Sequence, residues 1–298
     1  MKGSGVIAIL RSPIVVLIVY LGSVYFLVLI GADDYRAELR KALGLPNTAM
    51  WCVLTASQMT VWVFLIGPAY RRVLKYRTRF REQRYALLGD LSTIVALLVI
   101  FVISRYRSIQ PILVPSESPK MVLVTVFGAL TLLPSLVGFR LASSEAGVIV
   151  AERADADVLR RLDELRADLR WFLIVASSIV ATIAVTRGVL HNAIVAMNQT
   201  KAPDSSGVIL FAAYFSLALA MFYVPAHMSF VAAARYAVKQ LTSGKPKDAE
   251  EWVTVMDQRV KLEAILGLNV TAMSLMGEFG AVVAPLVGGA VSFLLKFR

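Results

Sequence analysis

The twenty residues WFLIVASSIVATIAVTRGVL, 171–190, carry one charged side chain, Arg187. An α-helix rises about 1.5 Å per residue, so this stretch spans about 30 Å, the thickness of a bilayer's hydrocarbon layer. Lipid offers no partner to a free backbone amide, so such a segment must be helical. Comparable runs lie at 13–32, 49–69, 86–104, 121–139, 207–231 and 264–295. None has the alternating ten-residue pattern of an outer-membrane strand. Of 298 residues, 58% are hydrophobic and 17% charged, with mean hydropathy +0.70. Soluble domains carry about 25% charged residues.

The expected fold is an all-α integral membrane bundle of seven transmembrane helices, or six plus a re-entrant segment, with two cytoplasmic helical extensions. The alternative comes from 264–295. Its 32 residues would extend roughly 48 Å as one rod, well beyond the hydrocarbon. Either it is a long tilted span, or it breaks at GEFG (277–280) or Pro285 and turns back. The first run follows MKGSGVIAILRSP. It is longer than a signal-peptide core and has no small-residue cleavage site, so it reads as a retained anchor.

Orientation follows Lys and Arg, which favour cytoplasmic loops. With the N-terminus inside, the inner segments carry 21 of the 31 basic residues and the outer ones 10. The net charge is +11. An inner (plasma) membrane of bacterial type is the expected location. The loop YRRVLKYRTRFREQRY, 70–85, supplies seven cations: Arg71, Arg72, Lys75, Arg77, Arg79, Arg81 and Arg84. Such a patch attracts anionic lipid headgroups, about 1 kcal/mol per basic residue near the surface. No nucleic-acid partner is expected, despite the interleaved tyrosines.

The chain divides into four spans with their basic loop (1–139), a cytoplasmic amphipathic helix (140–170), spans five and six (171–231), a second cytoplasmic helical segment (232–263) and the final membrane segment (264–298). In the first extension Val158, Leu162, Leu165 and Leu169 form a seam spaced 4, 3 and 4. That seam suits packing within the chain and self-association equally. In the second, Asp248 reads as an N-cap, and Val253, Met256 and Val260 form a stripe suited to pairing with the first.

Ionisable and amide side chains inside spans are costly and mark candidate functional positions. These are Glu278, Asp90, His227, Gln58 and Asn269. By depth, Asp90, His227 and Asn269 share the inner third, while Gln58 and Glu278 share the middle. Gly277, Gly280, Gly288 and Gly289 beside Glu278 suit close helix contact. Arg187 and Arg140, at span ends, are expected to reach toward headgroups. No HExxH, GxSxG, Walker or CxxC pattern occurs, and Cys52 is the single cysteine. No metal or cofactor is expected, and catalysis is not indicated. The Pro225 kink in the sixth span, the over-long last segment and Glu278 point to a channel or transporter-like unit, with homo-oligomers or membrane-complex partners. A non-catalytic scaffold or membrane-perturbing subunit is the alternative, and a lipid-acting enzyme the weakest reading.

Overall fold

The computed structural model describes residues 13–29, 46–76, 78, 118–197, 206–243, 248–268 and 272–294. All regular structure among them is helical. The helices are α1 (Pro13–Leu29), α2 (Pro46–Lys75), α3 (Ser118–Ala151), α4 (Ala156–Met197), α5 (Ser206–Leu241), α6 (Ala249–Ile265) and α7 (Ala272–Leu294). Four of these, α2 to α5, are long and apolar enough to cross a membrane; α1 and α7 contain shorter apolar stretches. The candidate span at 86–104 lies outside the described residues.

Helix α4 organises the bundle. Its 42 residues make a rod of about 63 Å. No proline interrupts it, and no glycine occurs before Gly188. The charged extension and the apolar span are therefore one continuous helix. Helices α2, α3, α5 and α7 all pack on it. Gln58 of α2 meets Thr186, whereas Arg72 meets Asp168. Gly128 of α3 sits against Ile183, whereas Gly138 sits against Phe172. Both helices thus run antiparallel to α4, and so does α5, which passes from Arg187 at Phe211 to Ala154 at Gln240.

The seam on α4 is covered by its own chain. Val158, Leu162, Leu165 and Leu169 are buried with Leu141, Ala146 and Ile149 of α3 and Phe230 and Ala233 of α5. Burying four such side chains from water is worth about 6–12 kcal/mol gross. Intrachain packing is thus the alternative realised, and the seam is not open to a second copy. Helix α3 supplies this cover by continuing past residue 139 to Ala151. Arg161 ties the two helices together through Glu145 and Glu152.

The final segment departs from both sequence alternatives. Helix α6 starts on its Asp248 N-cap, which accepts from Glu251 N at 2.8 Å. It stops where Gly267 takes φ +65°, a left-handed conformation that favours glycine. Leu268 N donates back to Glu263 O at 2.7 Å, and Leu266 is fully buried. Residues 264–268 therefore do not belong to the last rod. Helix α7 has 23 residues, about 34 Å, and runs unbroken through GEFG and Pro285. The excess length is taken up by the turn at Gly267.

The stripe on α6 is also placed differently. Trp252, Val253, Met256 and Val260 are all exposed, and α6 buries none of its residues. It does not pair along the first extension. Its C-terminal end is held instead, with Arg166 Nη1 donating to Ile265 O at 3.0 Å. Of the glycines on α7, Gly288 lies against the Ala181 carbonyl and Gly289 against Ala212, whereas Gly280 has open space around it. The close helix approach is therefore at 288–289.

Candidate functional site

On α2, Trp51, Thr55, Gln58 and Trp62 recur at intervals of 4, 3 and 4, which puts them on one helix face. That face looks into a cavity of about 120 Å³ between α2, α3, α4 and α5. From α3 come Val124, Gly128 and Leu132; from α4, Val180, Ile183, Thr186 and Arg187; from α5, Phe211, Tyr214, Phe215 and Phe222. Gly128 has a specific reason to be glycine. A Cβ there would fall 2.7 Å from Trp62 Cη2, so the indole occupies the space a side chain would need. The volume is close to the roughly 150 Å³ cavity that accepts a benzene ring.

The walls are mostly apolar, with aromatic rings from α2 and α5 and a few polar groups. Thr186 Oγ1 donates to Gln58 Oε1 at 2.7 Å. Thr55 Oγ1 and Trp62 Nε1 have no hydrogen-bond partner among the described residues, although the two side chains are 2% and 0% exposed. A buried polar atom left unpaired costs about 1–3 kcal/mol. Ser135 and Ser216, away from the cavity, share that condition. The Arg187 guanidinium lies 4.2 Å over the Phe211 ring, a cation–π contact. No acidic side chain lines the cavity among the described residues.

The opposite end of the bundle is closed by charge. Asp168, 1% exposed, receives Arg72 Nη1, Lys75 Nζ at 3.2 Å and Tyr76 Oη at 3.0 Å. Arg72 also lies 4.7 Å over the Trp171 ring. Burial, then the Asp168 charge, push the Tyr76 phenol above its ordinary value, so it stays a neutral donor. Ser143 and Ser229 hydroxyls meet at 2.9 Å between α3 and α5.

The sequence candidates separate. Gln58 is in the cavity wall. His227 is not: its Nδ1 lies 3.3 Å from Tyr223 Oη, one helical turn away on α5. It stands five residues beyond Phe222, the α5 wall residue nearest to it in sequence, about 7.5 Å along the helix. Glu278 falls within the backbone of α7, but its side chain lies outside the described residues, as do Asp90 and Asn269. Of the seven loop cations, Arg71 is exposed and Arg72 and Lys75 are engaged by Asp168. Arg77, Arg79, Arg81 and Arg84 lie outside the described residues. Arg187, expected to reach toward headgroups, lines the cavity.

Sequence reasoning passed over Thr55, Trp62, Thr186 and Asp168. Asp168 carried a usable signal: it sits three residues after Leu165 and adjoins Leu169. An acid beside a buried seam, opposite a helix end rich in cations, suggests a buried ion pair. Thr55 and Trp62 carried none, since an apolar run does not reveal which face turns inward. No protein-family model, curated protein or solved structure matches this chain.

Proposed function

We propose that the chain is a polytopic inner-membrane protein that admits a small solute between α2, α3, α4 and α5, as a channel- or transporter-like unit. One observation carries the reading: at the depth of the apolar spans, a ring-sized cavity is walled by aromatics and by buried polar groups lacking partners. Such cavities between bundle helices are the usual places for small-molecule sites. In this reading seven membrane segments cross, and the end bearing Asp168 faces the cytoplasm because most Lys and Arg lie there. In this reading the exposed Arg71 and the cations of 77–84 meet anionic lipid on that side.

The test is solute uptake into vesicles containing the purified protein. Uptake should be lost in Ala218→Phe, which fills the cavity from its α5 wall, and kept in Trp252→Phe, which is exposed on α6. Vesicles that take up no small organic solute would refute the proposal. A second reading, a non-catalytic subunit of a larger assembly, is favoured by the uncovered apolar face of α6. Recovery of a stoichiometric partner, lost in Met256→Asp, would support it.

A further inference from the structure

We infer that the cavity opens sideways into the bilayer between α3 and α5 and takes an uncharged, apolar molecule of about one ring that is dissolved in the lipid; this rests on the solute-admitting reading above and names the class of solute. The accessible part of the wall is not shared evenly among the helices. On α2, Trp51, Thr55, Gln58 and Trp62 are between 0% and 4% exposed, so that side is shut. Thr55 Oγ1 and Trp62 Nε1 are sealed beneath the surface and cannot reach a ligand. Toward the Asp168 end the cavity is floored by Leu136 and Leu219, both buried. Beyond them Phe139 meets Tyr223 edge-on, ring centroids 5.7 Å apart, and Ser143 meets Ser229. By contrast, Ala129 and Leu132 of α3 and Phe215, Ala218 and Phe222 of α5 are only half-buried, and Tyr214 is exposed. Among the described residues, the surface a ligand can touch therefore lies between these two helices, with the half-buried Ile183 of α4 at the back.

Depth decides what lies outside the opening. Val180 and Ile183 stand nine and twelve residues beyond Trp171, about 14–18 Å along α4. That is the middle of a hydrocarbon layer about 30 Å thick. Beside the opening, Leu130 of α3 and Leu217 and Met221 of α5 are 52%, 64% and 69% exposed, a surface suited to acyl chains rather than water. A charged ligand would have to shed its water to reach this depth, at high cost. An apolar molecule already in the lipid has no hydration to lose. Its gain on entry is dispersion contact with walls that otherwise face a void, chiefly the Phe215 and Phe222 rings.

The experiment uses heavy-atom quenching of tryptophan. The chain has four tryptophans, at 51, 62, 171 and 252, so Trp171→Phe/Trp252→Phe leaves reporters only in the cavity wall. This variant in nanodiscs of zwitterionic lipid is titrated with bromobenzene, which is neutral, ring-sized and lipid-soluble, and separately with iodide, which stays in water. Bromobenzene should dim the emission to a saturating plateau, and iodide should leave it unchanged. Adding Ala218→Phe or Ala129→Phe, which narrow the opening from opposite sides, should abolish the saturable loss; two such variants keep the test usable if one fails to fold. Leu217→Phe, on the exposed side of α5, should retain it. Quenching by iodide, undiminished bromobenzene quenching in the narrowed variants, or no quenching at all overturns the inference. Saturable bromobenzene quenching without vesicle uptake would sink the transport reading alone, whereas solute uptake accompanied by iodide quenching would sink this inference alone.

Discussion

Replacing Asp168 by alanine tests the charged end of the bundle most severely. The carboxylate is almost fully buried and accepts from three side chains of the α2 terminus. Its removal leaves the Tyr76 hydroxyl buried with no acceptor, a cost of about 1–3 kcal/mol. Arg72, 32% exposed, loses a charge-assisted bond of about 1.5–3 kcal/mol, reduced by its partial access to water. Lys75, 53% exposed, can turn to solvent and loses under about 1 kcal/mol. Together these give about 3–5 kcal/mol, the usual cost of breaking a buried pair from one side. At about 2–4 °C per kcal/mol for chains of a few hundred residues, the melting midpoint should fall about 6–20 °C. The assay is thermal unfolding of the detergent-solubilised protein, followed by circular dichroism. Arg72→Ala and the double variant complete a cycle with an expected coupling of about 1.5–3 kcal/mol. A midpoint within about 2 °C of the parent, or strict additivity in the cycle, would refute the reasoning.

Four further outcomes follow from the same geometry. Gly138→Ala places a Cβ 2.5 Å from the Phe172 ring and should destabilise by about 1–3 kcal/mol in the same melt. Gly267→Ala forces alanine to φ +65°, costing about 1–2 kcal/mol. It should also increase protease cutting between α6 and α7, as read by gel. Thr55→Val removes a buried hydroxyl that has no partner and should raise the midpoint of the empty protein by up to about 1–3 kcal/mol equivalent. A drop in that midpoint would mean the hydroxyl is satisfied. Last, Tyr76 holds its proton more tightly folded than unfolded. Stability should be level below the ordinary phenol value of about 10 and fall with pH above it, and Tyr76→Phe should reduce that alkaline slope.

Much of the fold was legible in the sequence. Apolar run length marked α2 to α5, and the N-cap at Asp248 located α6. The seam on α4 was readable because that part of the helix is bounded by polar residues. Leu162 and Leu165 among arginines and acids leave one way to face. The turn at Gly267 was not legible, since GEFG and Pro285 were stronger breakers by composition. A helix packed on neighbours can nevertheless carry an internal proline when the freed carbonyl finds another partner.

The sequence by itself determined that this chain is helical and apolar enough for a membrane, because unpaired backbone in lipid forces helices wherever about twenty apolar residues run together. Only the tertiary structure decided that Trp51, Thr55, Gln58 and Trp62 line a cavity, that Arg187 joins them, and that Arg72 and Lys75 serve Asp168. The reason is physical. In water, polarity separates the inner face of a helix from the outer one. Where lipid and protein core are equally apolar, both faces read alike, and side-chain shape at contacts such as Gly128 with Trp62 makes the choice.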